Sequence, residues 1–128
     1  IHIYIPLHAQ YDYGIVKNFG ALLMQQVEQM LPDITTLQRT KSKRGKKIYL
    51  DFLQNNRGQT LASVYCIRPV PGATVSAPIK WSELKKTLTP SLFTIENMPA
   101  RVKKMGDLFK PVLTEKNNLI KALQLLNN

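Results

Sequence analysis

Early in the chain the spacing of the apolar residues switches from two to three or four, and that switch commits the sequence to a mixed fold. Ile1, Ile3, Ile5 and Leu7 alternate with His2, Tyr4 and Pro6, the period of a strand whose side chains point to opposite faces. The alternation puts His2 and Tyr4 on one face, and Pro6 marks the exit. After Asp12, Val16, Phe19, Leu23, Val27 and Met30 recur at helical spacing until Leu31-Pro32 interrupts them. This predicts one long amphipathic helix with Asp12 as its N-cap.

The rest of the chain carries weaker signals. Lys47-Ile-Tyr-Leu-Asp-Phe-Leu-Gln54 reads as a strand, Asn55-Asn-Arg-Gly58 as a turn, and Thr60 to Cys66 as a second strand, together a hairpin. Arg68 to Pro78 holds three prolines and a glycine after its first residue, so an ordered but irregular loop without ladder bonds is expected. Trp81–Lys86 predicts a short helix, Phe93–Ile95 a short strand, Met98–Met105 a helix, and Glu115–Leu126 a last helix with Leu119, Ile120, Leu123 and Leu126 on one side. The expected class is α+β: a mixed or antiparallel sheet with flanking helices. So few strands close no sheet, and one raw face or edge is expected.

A chain of 128 residues fits one module, 1–128. With 44% hydrophobic and 20% charged residues, disorder is excluded. Every apolar run is broken well before the ~20 residues of a spanning helix, so no membrane partner is expected. No basic-then-apolar leader is visible. The lone Cys66 makes no internal disulfide and no zinc site, and it reads as a packed strand residue. A reducing, cytoplasmic setting follows as an expectation. Because the chain opens at Ile1, directly on a strand pattern, it reads as a piece of something longer.

Charge narrows the partner. Lys and Arg number 18 against 8 Asp and Glu, a net of +10, which favours a polyanion, with nucleic acid the commonest. Six of these cations, Arg39, Lys41, Lys43, Arg44, Lys46 and Lys47, crowd around Gly45. Such a run is either a solvated mobile loop or a contact for DNA or nucleotide.

Asp51 stands out on local physics. It lies among Ile48, Tyr49, Leu50, Phe52 and Leu53, where an unpaired buried carboxylate costs several kcal/mol. A metal ion or a basic side chain would compensate it; alternatively, it lies on a solvated sheet face. His2 falls beside Asp51 if the two strands pair, and can donate to phosphate. Arg68, closing the second hairpin strand, offers a planar fork to phosphate or carboxylate. Carboxylate, imidazole and guanidinium on neighbouring strand ends suit phosphoryl transfer. The sequence holds no Gly-x-x-x-x-Gly-Lys-Ser/Thr, Gly-x-Gly-x-x-Gly, Gly-x-Ser-x-Gly or His-Glu-x-x-His motif.

The run Asp51-Phe-Leu-Gln-Asn-Asn-Arg-Gly-Gln-Thr60, then Tyr65-Cys-Ile-Arg68, Pro71-Gly-Ala-Thr-Val-Ser-Ala-Pro78 and Trp81-Ser-Glu-Leu84 resembles the primase-polymerase domain of bacterial DNA ligase D, in the archaeo-eukaryotic primase superfamily with its RRM-like catalytic module. Phe93-Thr-Ile, Pro99-Ala-Arg and Met105-Gly-Asp107 extend the likeness over almost the whole chain. The resemblance implies a nucleotidyltransferase that adds nucleotides to DNA ends in non-homologous end joining, with Mn²⁺ or Mg²⁺ as cofactor. It implies Asp51 as a metal-binding, catalytic carboxylate, and His2, Gln54, Thr60 and Arg68 as nucleotide contacts. Lys41, Lys43, Arg44, Lys46 and Lys47 become DNA contacts, and the implied partners are DNA ends, a nucleoside triphosphate, a ligase domain and end-binding repair proteins.

The sequence departs from the family pattern at Gln54 and Val70, where many members carry arginine, so a different triphosphate clamp is expected. No two acidic residues here are separated by one residue, so the family's Asp-x-Asp metal pair has no counterpart. The chain therefore reads as the C-terminal part of the catalytic domain, inactive by itself. The alternative is a non-catalytic nucleic-acid-binding module that keeps part of the fold.

Overall fold

The computed structural model describes residues 1–126, which form two compact units. One is built from Ile1–His8 with Ala62–Asn117, the other from Ala9–Leu61 with the chain from Asn118 onward. The architecture is mixed α and β, with a small sheet and several helices, in keeping with the α+β class expected from the sequence.

In the second of these units the long helix forms as its periodicity requires. Helix α1 spans Tyr13–Met30, and the Asp12 side chain accepts the Ile15 N–H at 2.8 Å, satisfying one of the free donors of the first turn. The helix ends where Leu31 donates back to the Val27 carbonyl and Pro32 forbids continuation. Two further bonds turn the chain back: Thr35 Oγ1 donates to the Leu31 carbonyl at 2.7 Å, and Glu28 accepts the Leu37 N–H at 2.7 Å.

The chain then enters strand β1, Thr35–Thr36, which pairs in parallel with β2, Ile48–Tyr49, in the register Thr35 to Ile48 and Thr36 to Tyr49. Between them lies α2, Lys41–Arg44. The basic stretch is thus the crossover of a parallel strand pair, which cannot be joined by a tight turn. The expected 47–66 hairpin does not form. Strand β2 stops after Tyr49 because Asp51 Oδ1 takes the Leu53 N–H at 2.9 Å, a local bond that competes with a ladder. A 3₁₀ turn at Leu53–Asn55 follows. It packs on α1 at Gly20, where an added Cβ would lie 3.1 Å from Asn55 Nδ2 and 3.4 Å from Phe52 Cβ.

The other unit holds a hairpin that the sequence reading does not place. Tyr65 and Arg68 donate backbone N–H to Ser76 and Thr74 carbonyls at 2.8 and 2.7 Å, and Ser76 donates to Cys66 at 2.9 Å. The turn is Val70-Pro71-Gly72-Ala73, closed by Ala73 N–H to the Val70 carbonyl, with Gly72 at φ 86°, as a type II turn with Pro then Gly requires. The expectation of an irregular 68–78 loop is therefore corrected. Pro69 and Pro71 lie inside the loop that the Arg68–Thr74 bond closes and Pro78 beyond the paired stretch, while Thr74 bridges Thr94 and Val75 bridges Ile67, both Thr74 and Val75 being buried.

The remaining elements follow the sequence in part. Helix α3 is Met98–Met105, as its spacing predicts, and stops at Gly106 with φ 73°. Helix α4 is Lys110–Thr114. The helix expected at 81–86 is only a 3₁₀ turn at Trp81–Glu83, and the 93–95 strand shrinks to the bridge at Thr94. Helix α5, Leu119–Leu126, begins four residues later than expected. Asn118 Oδ1 caps it by accepting the Ile120 and Lys121 N–H groups. Asn117 instead donates twice to the Pro6 carbonyl, at 2.8 and 3.0 Å.

The first seven residues belong to no strand among the described residues, the Pro6 carbonyl being taken by Asn117 rather than by a ladder. Alternation gives a strand only when another segment takes its N–H and C=O groups. Ile1, Ile3 and Ile5 stay 91%, 67% and 45% exposed, so this stretch is a raw apolar surface. The Tyr4 ring meets Phe109 edge-on, with centroids 5.1 Å apart.

Candidate nucleotide and nucleic-acid site

Asp51 is exposed, which removes the burial argument for a compensating ion. The oily neighbours do not surround it, since the chain leaves β2 before reaching it. What the fold does fix is its orientation: one carboxylate oxygen is held by the Leu53 N–H. Gln54 lies in the 3₁₀ turn that this bond initiates, and both Gln54 and Thr60 are exposed.

The basic stretch is ordered from within. The Arg44 guanidinium donates to the Gln38 and Arg39 carbonyls at 3.2 and 2.6 Å, and it lies over the Tyr49 ring at 4.4 Å. Lys47 Nζ donates to the Pro32 carbonyl at 2.6 Å. These two cations fold the crossover, so the expectation of a mobile loop is corrected. Lys41, Lys43 and Lys46 are exposed. Arg39 is exposed as well.

His2 and Arg68 belong to the other unit, and both are exposed. The premise that His2 reaches Asp51 by strand pairing does not hold, because neither predicted strand forms at its expected length. Arg68 is fixed through its backbone: its N–H donates to the Thr74 carbonyl at 2.7 Å, at the base of the Pro-Gly turn. Cys66 is half-buried, with Sγ 3.5 Å from Ser76 Oγ.

Three features escaped the sequence reading. Arg101 grips Glu83 with two nitrogens, at 2.7 and 2.8 Å, donates to the Pro78 carbonyl at 3.1 Å, and stacks over Phe93 at 5.0 Å. The guanidinium holds the Glu83 carboxyl down at about 2 and raises its own pKa in return. Second, Tyr65 OH donates to Asp107 Oδ1 at 2.7 Å. Burial and then the carboxylate push the Tyr65 phenol up, while the phenol's hydrogen bond lowers Asp107. Third, Trp81 is 74% exposed. Only the acidic and basic residue types at 83 and 101 hinted at the first pair, and spacing alone does not match partners that far apart.

A divalent cation such as Mg²⁺ takes six oxygen ligands. Among the described residues no three His, Cys, Asp or Glu side chains come together to hold an ion. The donor set of these residues does not by itself fit a two-metal centre; Asp51 offers a single carboxylate. None of the described helices is long and apolar enough to cross a membrane.

Comparison with known proteins agrees with the fold. The LigD primase-polymerase domain model matches residues 1–109. The bifunctional non-homologous end joining protein LigD of Bacillus subtilis is 36% identical over 107 residues, 83% of this chain and 18% of that protein. The multifunctional LigD of Mycolicibacterium smegmatis is 31% identical over 112 residues, 88% of this chain and 15% of that protein. The solved polymerase domain of Mycobacterium tuberculosis ligase D, in complex with DNA, superposes with a TM-score of 0.72 at 27% identity, covering 82% of this chain and 36% of that one. The chain therefore spans about a fifth or less of these LigD relatives and about a third of the solved domain. Matched across most of its length in sequence and in fold, the chain belongs to the LigD primase-polymerase domain family.

Proposed function

We propose that the chain is part of a nucleotidyltransferase module that adds nucleotides to DNA ends during non-homologous end joining. The carrying observation is a juxtaposition inside the family match: an exposed, backbone-held carboxylate at Asp51 directly follows the ordered basic crossover. That pairing of an oxygen donor with cations suits a triphosphate and a DNA strand. The solved relative holds DNA, which supports DNA as partner here.

In this reading Lys41, Lys43 and Lys46 face DNA phosphates, while Arg44 and Lys47 hold the crossover that presents them. His2, Gln54, Thr60 and Arg68 meet the nucleoside triphosphate. Asp51 gives one ligand to Mn²⁺ or Mg²⁺, whose remaining carboxylates come from outside these 128 residues. By themselves the 128 residues bind but do not extend. Ligase and end-binding partners, and a place on the bacterial nucleoid, belong to the same proposal.

The test uses a polypeptide that joins this segment to the preceding part of a LigD polymerase domain. Template-dependent primer extension with Mn²⁺ is expected, and Asp51→Ala abolishes it while DNA binding persists. Extension undiminished in that variant overturns the role of Asp51. A second reading, a nucleic-acid-binding module without catalysis, is favoured by the net charge of +10; binding that is steep in salt, with no extension in the joined polypeptide, would select it.

A further inference from the structure

We propose that Trp81 and the lysines around it form a contact for single-stranded DNA, one base stacking on the indole while the neighbouring phosphates face Lys80, Lys85, Lys86 and Lys104. This goes beyond the reading above, because none of the residues assigned there takes part. Trp81 is the chain's single tryptophan and is 74% exposed. An indole left open to water on a cationic surface has the two properties that sequence-tolerant single-strand binding uses, a π-face and charge.

The turn that carries Trp81 is held firmly. Glu83 Oε2 accepts the Lys80 N–H at 2.8 Å, and both carboxylate oxygens accept from Arg101. That pair is the one ion pair among the described residues. It has an electrostatic consequence: both oxygens of Glu83 are engaged by Arg101, and Lys80, Lys85 and Lys86 are all exposed with no short ion pair among the described residues. Lys80 and Lys104 also line an open groove of about 610 Å³ with Phe93. The Phe93 face is already occupied by the Arg101 guanidinium, which leaves Trp81 as the stacking platform. Duplex DNA offers no free base face to an indole, and an acidic peptide would use the lysines without it.

Trp81 being the only tryptophan, its emission reports the contact directly in the full chain. Titration with a thymidine oligomer at low salt is expected to quench it. Trp81→Ala should weaken binding of the labelled oligomer about tenfold or more, and Trp81→Phe should recover most of the loss. Lys80→Gln and Lys104→Gln should each flatten the salt dependence by roughly 0.7 in log–log slope while the quench remains. The proposal is overturned by unchanged emission when the oligomer is bound, by equal quenching with heparin, by unaltered affinity in Trp81→Ala with native far-UV circular dichroism, or by no binding at low salt. Loss of extension through Asp51 with this quench intact would leave the contact standing, so the two readings fail separately.

Discussion

Arg101 closes on Glu83 in a bidentate pair, Nη1 at 2.7 Å from Oε1 and Nη2 at 2.8 Å from Oε2. The pair joins the Trp81–Glu83 turn to helix α3, and the Pro78 carbonyl and Phe93 ring complete the seat of the guanidinium. A fork of this kind gives geometry as well as energy.

The pair is most informative on acidification. The Glu83 carboxyl lies at about 2, below its usual 4.5, so its stabilising contribution is present above pH 4.5 and is lost as pH falls towards 2. Glu83→Gln should cost about 1–2 kcal/mol at pH 7, as loss of a hydrogen-bonded charge does, and the gap to the parent chain should close below pH 2. Urea unfolding at the two pH values measures this. An equal gap at both would show that charge is not the cause.

Gly106 ends α3 with φ 73° and ψ −174°, and a Cβ there would meet nothing within 4 Å. The cost of Gly106→Ala is therefore conformational, about 1–3 kcal/mol. Thermal unfolding should register it, with Gly106→Asn no closer to the parent than Ala, because φ 73° with ψ −174° lies outside the left-handed helical region that asparagine tolerates.

Asp12 caps α1 through the Ile15 N–H. Asp12→Ala should lower stability by ~1 kcal/mol, and Asp12→Ser should restore most of it. Helical ellipticity during a denaturant titration would check both, and an Ala variant as stable as the parent would mean that packing alone sets the start of α1.

Asp51→Asn separates chemistry from fold. The residue is exposed, and an amide oxygen can still accept the Leu53 N–H, so stability should move by no more than ~0.5 kcal/mol. Primer extension by the joined polymerase polypeptide should nevertheless collapse. If stability drops with activity, the carboxylate was holding the 3₁₀ turn rather than a cation.

The crossover predicts a division of labour among its cations. Lys41→Gln, Lys43→Gln and Lys46→Gln should each reduce the salt slope of single-stranded DNA binding by about 0.7 with little effect on stability. Arg44→Gln removes two carbonyl bonds and the stack on Tyr49, and should destabilise the chain as well. Hydrogen exchange of the Gln38 to Lys47 amides would tell the two classes apart.

Elements with local causes were legible in the order of the residues. Helix α1 follows from its apolar period and the Asp12 cap, α3 from its spacing and Gly106, and the α+β class from the change of period. The resemblance carried by Asp51 to Asp107 was legible too, since motif order needs no coordinates. Pairing was settled by packing in three dimensions. Thr35–Thr36 joins Ile48–Tyr49 in parallel, the prolines of 69–71 fold a hairpin onto Thr74 and Val75, and Arg101 finds Glu83. A backbone N–H or a guanidinium has many partners of equal chemistry along the chain, and only packing in three dimensions selects one. Asp51 shows the same division at one residue: the sequence names a carboxylate among apolar neighbours, and the fold turns it out to solvent by giving one oxygen to Leu53.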